Sequence, residues 1–232
     1  MGMNKMSDQT SGQISAYDRS QRLLYEFNLL PAAYADRSWV ESNGVLKSGE
    51  HSLAQIGCVG QSVALLQHHG LNEKFDWSVQ SGAVRISLLQ RTAFSRVCTV
   101  LSLMCAAPEI RRTVNGEILR SLDETFGDLN SAIWCPAVPG LVKAGFGHNL
   151  VKTAENERLE RARVVGFRIY KALLYADGQA TPESISRALF RLPMPIATEP
   201  VTPMDSAVAK LVTRWVCKSA VKRWEPSWAW LF

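Results

Sequence analysis

Four cations recur at every fourth position near the end of the chain: Lys210, Arg214, Lys218 and Lys222. On a helix that spacing puts them along one face. A stripe of like charge can hold an acidic protein surface and speed its encounter. Trp224, Trp228, Trp230 and Phe232 follow directly, and tryptophan offers a binding partner large rigid area at small entropic cost. Both features also have plain structural uses. Cations in a last helical turn suit the macrodipole, and an aromatic tail can fold back over a core. Lys210, Arg214, Lys218, Lys222, Trp224 and Trp228 are therefore the candidate partner-binding residues, with the tryptophan cluster open between core and interface.

Elsewhere the chemistry-bearing residues do not converge. His68 and His69 are neighbours, and adjacent side chains on a helix diverge by about 100°, which prevents them sharing one metal ion. They precede Gly70 and read as the C-terminal turn of a helix. Gly145-Phe146-Gly147-His148 lacks the strand before it and the Lys-Ser/Thr ending that a phosphate loop needs. A serine or cysteine could meet His51 or His148 in space, but no GxSxG is present. The cysteines, Cys58, Cys98, Cys105, Cys135 and Cys217, are odd in number and show no CxxC spacing. They indicate neither a disulfide framework nor a zinc site, but small buried residues in a reducing compartment. No catalytic, cofactor-binding or metal-binding residue is assigned, and no cofactor is expected. The chain reads as a non-enzyme.

The elements that would carry the stripe read as helices throughout. The composition, 47% hydrophobic and 20% charged over 232 residues, is that of a globular chain, and such a chain should bury about 70–75% of its unfolded surface. Met1 to Ser15 is polar and reads as a disordered leader; residues 16–232 read as one compact helical domain. Tyr17 to Leu30 forms a first helix that Pro31 interrupts. A helix capped by Ser52 carries an apolar line from Leu53 to Leu66 and ends before Gly70, and Asn72 to Gly82 is a loop anchored by Phe75 and Trp77. Val84 to Gly127 is the centre: a helix from Ile86 stopped by Pro108, then a second along Ile110, Val114, Ile118, Leu122 and Phe126, the first more deeply buried. Ser131 to Leu150, rich in proline and glycine, reads as a long irregular connection. Glu155 to Ala176 is a helix, and Thr181-Pro182-Glu183 starts a short one. Leu192 to Pro203, with four prolines, reads as an extended strap. The last helix follows, with Val208, Leu211, Val212, Trp215, Val216 and Ser219 inward. The expected fold is all-α, about seven or eight helices with a Pro-rich strap before the last.

Several of these segments resemble a known family. The run Leu88-Leu89-Gln90-Arg91 through Val100-Leu101-Ser102-Leu103, then Glu109-Ile110-Arg111-Arg112, is similar to the central part of the SctK/YscK proteins. Phe27-Asn28-Leu29-Leu30-Pro31-Ala32-Ala33-Tyr34 resembles that family's "PAAY" segment. Leu189-Phe190-Arg191-Leu192-Pro193-Met194, before a Pro-rich link and a basic helix over Leu211 to Arg223, matches in order. The resemblance spans roughly Tyr25 to Arg223. Its motifs, Pro31 to Tyr34 and Arg191 to Pro193, look like packing and turn positions and not contact points. The polar leader and the glycine-rich 140s are left unexplained by it.

What the resemblance implies is a cytoplasmic adaptor of a bacterial type III secretion system. In that family the protein lies under the inner-membrane ring. There it links the cytoplasmic domain of the ring protein (SctD-like) to the sorting-platform scaffold (SctQ-like). No residue-level binding site carries over. The expected location is the cytoplasmic face of the inner membrane, through protein contacts and without insertion, since the most apolar run, Val97 to Ala107, is far short of the ~20 residues a span needs. The rival readings are a helical nucleic-acid-binding regulator, suggested by the net charge of +5, and a helical enzyme under the 136–150 loop. The first lacks a readable recognition helix. For the second, the loop itself supplies only Lys143 and His148.

Overall fold

A computed structural model describes residues 16–42, 57–77, 79–127 and 129–232. The leader, His51 and the Ser52 cap lie outside the described residues. Among those residues there are thirteen α-helical segments and no strand. They are α1 (Ala16–Leu29), α2 (Arg37–Ser42), α3 (Cys58–His68), α4 (Gly82–Ser87), α5 (Arg91–Arg112), α6 (Gly116–Phe126) and α7 (Leu129–Ile133), then α8 (Val138–Leu141), α9 (Glu155–Ala176), α10 (Pro182–Leu189), α11 (Met194–Thr198), α12 (Ser206–Trp215) and α13 (Val221–Trp224). Seven of these have eight residues or more, so the class is all-α with the expected number of substantial helices.

The centre differs from the sequence reading at both ends. Ser81 caps α4 by accepting from the Val84 N–H, the chain turns through Leu88 to Gln90, and only then does α5 begin. Pro108 does not stop α5, which continues to Arg112. An interior proline forfeits a backbone bond and costs about 3 kcal/mol. Here Met104, Ala106, Ala107 and Ile110 on either side are all buried, and that packing offsets the local penalty. The second helix starts instead at Asn115, whose side chain accepts from the N–H groups of Glu117 and Ile118. Val114, expected on its inner line, lies in the turn and is 99% exposed. The expected contrast in burial holds: α5 is buried along most of its length, α6 only at Leu122 and Phe126.

Antiparallel to α5 packs α9, with Phe94 edge-on to Tyr170 at 4.9 Å and Cys98 against Gly166. A Cβ at Gly166 would stand 1.9 Å from the Cys98 carbonyl oxygen, so the two backbones touch there. By length and composition α5 could cross a membrane, yet 78% of its most apolar window is buried inside the fold. Its apolar surface is covered by the protein itself.

Two segments far apart in sequence close the structure around this pair. Pro31–Ala33 is a 3₁₀ turn, and Phe190 to Met194 passes over the residues that follow it. Asp36 N–H donates to the Phe190 carbonyl (2.7 Å), Trp39 Nε1–H to the Leu192 carbonyl (2.7 Å), and Met194 N–H to Ser38 Oγ (2.8 Å). Arg191 donates from Nε to the Ser87 carbonyl (2.7 Å) and from Nη1 to the Tyr34 carbonyl (3.2 Å). Its guanidinium lies 5.3 Å from the ring centroids of both Tyr34 and Phe94. The segments around Pro31–Tyr34 and Arg191–Pro193 therefore pack on one another.

The strap and the 136–150 connection are more ordered than expected. The first half of the strap coils into α11, because Pro195 sits near a helix start, where its missing N–H is harmless. Lys171, buried on α9, donates its ammonium to the carbonyls of Ile196 (3.0 Å), Ala197 (2.7 Å) and Glu199. A cation at a helix C-terminus satisfies idle carbonyls. Arg168 adds a two-point bond to the Glu199 carboxylate (2.8 and 2.9 Å). The strap is thus fastened to α9. The 136–150 stretch carries α8 and a π-turn over Val142–Phe146, broken at Gly145, whose φ of +89° suits glycine.

Phe75 and Trp77 are not loop anchors: they are 41% and 50% exposed. The anchor is Asn28, fully buried, whose amide both donates to the Asp76 carbonyl and accepts from its N–H, each at 2.8 Å. A side-chain amide that mimics a peptide partner holds the loop, and the Phe75 ring adds a face to the Arg187 guanidinium at 5.8 Å.

Candidate docking surface

The last helix is built from its cap outward. Asp205 accepts from the N–H groups of Ala207 and Val208, one residue before the helix begins. Ala209, Val212, Val216, Ala220 and Val221 are buried and make the inward line. Leu211 and Ser219, expected inward, are exposed. Beyond Val216 the line shifts because Val216–Ala220 is a π-turn between α12 and α13. Its i→i+5 bonds admit an extra residue per turn and break any strict spacing of four.

All four stripe cations are exposed, but the structure brings only three together. Lys210, Arg214 and Lys218 line a groove of about 350 Å³, and Lys222 lies beyond the π-turn, outside it. Arg85 from α4 completes the groove, whose walls include Ala209, Thr213, Cys217 and Phe232. Gly82 allows α4 this close, since a Cβ there would meet Thr213 Cγ2 at 2.7 Å. The lining acid, Asp177, is already engaged: it accepts from Ser81 Oγ (2.7 Å) and from the N–H groups of Ala83 (3.3 Å) and Gln179 (3.0 Å). Among the described residues no carboxylate forms an ion pair with Arg85, Lys210, Arg214, Lys218 or Lys222. The groove is a trough lined by four cations and the single carboxylate of Asp177, with Ala209 and Phe232 adding apolar surface. Sequence reasoning missed Arg85, which is on another helix 125 positions from Lys210 and carries no signal of its destination. Cys217 is no nucleophile at neutral pH, because burial pushes its thiol up to about 12.

The tryptophan cluster resolves toward the core. Trp224 is 7% exposed, with its ring 6.1 Å from that of Trp215. It is a packing residue, which corrects its place among the candidate contacts. Trp228 is half-buried against the core beside Trp230 (6.2 Å). The 3₁₀ turns of Pro226–Leu231 carry both rings back over the fold.

The histidines are structural as well. The rings of His68 and His69 meet edge-on at 4.8 Å, and His69 also packs on Trp39 and Phe190. Among the described residues no three His, Cys, Asp or Glu side chains cluster to hold a metal ion. His148 finds a serine, as the sequence allowed: its Nε2 is 2.9 Å from Ser102 Oγ, and Nδ1 faces the Phe146 carbonyl at 3.4 Å. With the proton on Nδ1, Nε2 accepts from the hydroxyl. Ser102 is wholly buried in mid-helix, so no substrate carbonyl can reach it. The cleft outside, about 620 Å³, gathers His148 with Glu160, Arg161 and Arg168 of α9, acids and bases that the local sequence did not bring to the loop.

The pair makes a pH prediction. Burial lowers the His148 pKa from 6.5 to about 4. As pH falls, the unfolded chain takes up the proton first. The stability supplied by the neutral ring is complete above about 6.5 and drains away toward pH 4, by roughly 3 kcal/mol in all. Urea unfolding at pH 7, 5.5 and 4.5 should show His148→Gln losing stability less steeply than wild type. Identical slopes would mean the ring is hydrated or already charged.

Against known proteins, no family model, no curated protein and no solved structure matches this chain.

Proposed function

We propose that the chain is a non-enzymatic adaptor of a bacterial type III secretion system, working at the cytoplasmic face of the inner membrane. It would link an SctD-like ring protein's cytoplasmic domain to an SctQ-like scaffold. The reading joins the resemblance to the SctK/YscK proteins with one observation: the trough of Arg85, Lys210, Arg214 and Lys218, four cations against one carboxylate, Asp177, and none of them in an ion pair among the described residues. Exposed cations repel one another at modest cost in water. Brought under an acidic partner segment and desolvated, they gain far more. Ala209 and Phe232 in the lining suit a segment that carries an apolar residue between its carboxylates. Function here is the holding of surfaces at a set geometry, and no bond is made or broken.

The test is co-purification and titration with the scaffold and the ring-protein domain. Reversing Arg214 and Lys218 to Glu should weaken binding of the partner that occupies the trough at least several-fold, more so at low salt. The melting temperature should stay near wild type, as both side chains are exposed. Unchanged affinity for both partners would end the proposal. Steeply salt-dependent binding to a duplex DNA fragment, lost in the same variant, would replace it with the nucleic-acid reading.

A further inference from the structure

A larger groove, about 720 Å³, runs along α5 on a different face. Phe94, Phe126 and Phe167 line it with apolar surface. Most of its charges are already matched: Arg91 with Asp36 (3.4 Å), Arg163 with Glu160 (2.8 Å), and Arg96 with Glu225 (3.7 Å). Glu124 enters the lining beside Phe126 and Gly127 at the end of α6.

Arg191 stands outside this matching. It is 7% exposed, and its Nε and Nη1 are taken by the Ser87 and Tyr34 carbonyls. Those acceptors are neutral, and among the described residues no carboxylate forms an ion pair with it. Among the described residues its Nη2 makes no hydrogen bond, and the residue lines the groove. Burial pushes its pKa down to about 10, so it remains a cation at neutral pH. A buried charge without a counter-ion is costly unless something supplies one.

The start of α5 forms the neighbouring wall. This helix is 22 residues long, its N-cap Gln90 makes no side-chain bond, and Arg91 and Thr92 of its first turn line the groove. Uncapped first-turn N–H groups and the dipole behind them favour an anion. In the same lining Arg163 has a buried Nε without an acceptor.

We propose that this groove binds a small organic oxyanion, a phosphate or carboxylate carried on an apolar body. The oxyanion sits between Arg191 Nη2 and the first turn of α5, and the body lies over Phe94 and Phe167. The volume is in the range of about 300–1,000 Å³ usual for small-molecule sites. The guanidinium and the helix start supply donors to one lining, and Arg91, exposed and 3.4 Å from Asp36, adds a second guanidinium beside them.

Calorimetric titration of the full chain with phenyl phosphate, benzoate and inorganic phosphate, at ionic strength held constant with sodium chloride, tests this. Saturable binding of phenyl phosphate or benzoate is expected, tighter than that of inorganic phosphate, and the tighter of the two names the oxyanion. Arg91→Gln, at an exposed position, should weaken binding about tenfold, the size of one charge-assisted hydrogen bond. Lys210→Gln in the other groove should leave it unchanged. Arg191→Lys, checked for native helicity, should abolish it. Absence of saturable binding overturns the proposal, as does equal weakening by Arg91→Gln and Lys210→Gln. The site does not depend on the adaptor reading, and partner binding measured at α12 is unaffected by its failure.

Discussion

Gly166→Ala is expected to lower the melting temperature by roughly 6–12 °C, the largest response to an added methyl among the described glycines. The added Cβ would lie 1.9 Å from the Cys98 carbonyl oxygen and 2.4 Å from its carbon. Those are backbone atoms in the middle of α5, and they cannot rotate aside as a side-chain tip can. Relief requires α5 and α9 to separate where they are closest, which opens voids among Phe94, Val97, Phe167 and Tyr170. Overpacking that side chains can absorb costs about 1–3 kcal/mol. With a backbone obstacle the loss should reach about 4 kcal/mol. Alanine's better helix propensity returns only about 1 kcal/mol. Gly178→Ala is the control, because nothing lies within 4 Å of its Cβ position. Thermal melts of the two variants decide the matter: if Gly166→Ala melts as Gly178→Ala does, the close contact of α5 with α9 is wrong.

Arg191→Met should cost about 3 kcal/mol, or roughly 6–12 °C in melting temperature. Methionine fills much of the same volume, so the loss is polar in origin. The Ser87 and Tyr34 carbonyls lose the donor they share, and buried acceptors left without one cost about 1–3 kcal/mol each. The two ring faces also lose their cation. Arg191→Lys keeps the charge but lacks the planar fork that reaches two carbonyls at once, and should fall between the two. Urea midpoints for the three proteins measure this directly. A methionine variant as stable as wild type would mean that water already satisfies those carbonyls.

The same residue shows what kind of information was legible in the chain. Pro31–Tyr34 and Arg191–Pro193 stood out as packing and turn positions, and they pack on each other. Their meeting was not readable, since nothing local tells a turn at 31 that its partner lies at 191. The docking surface divides in the same way. The exposed cations at 210, 214 and 218 were visible as a period of four, while Arg85, on a separate helix, was not. Lys222 was misplaced because a π-turn broke a spacing that assumes 3.6 residues per turn.

What the chain determined by itself are the features whose energy is local. The helical class, α9 from Glu155 to Ala176, the Thr181 cap of α10, the interruption at Pro31 and the stop at Gly127, where φ is +67°, all follow from neighbours within a few residues. Tertiary structure alone decided that α5 runs through Pro108, that the strap coils into α11, that Trp224 is core, and that Phe75 and Trp77 face outward. In each case a sum of distant contacts outweighs a local preference. A proline's penalty of about 3 kcal/mol is comparable to the burial of one or two large apolar side chains. Which side chains those are is settled only when helices far apart in sequence come together.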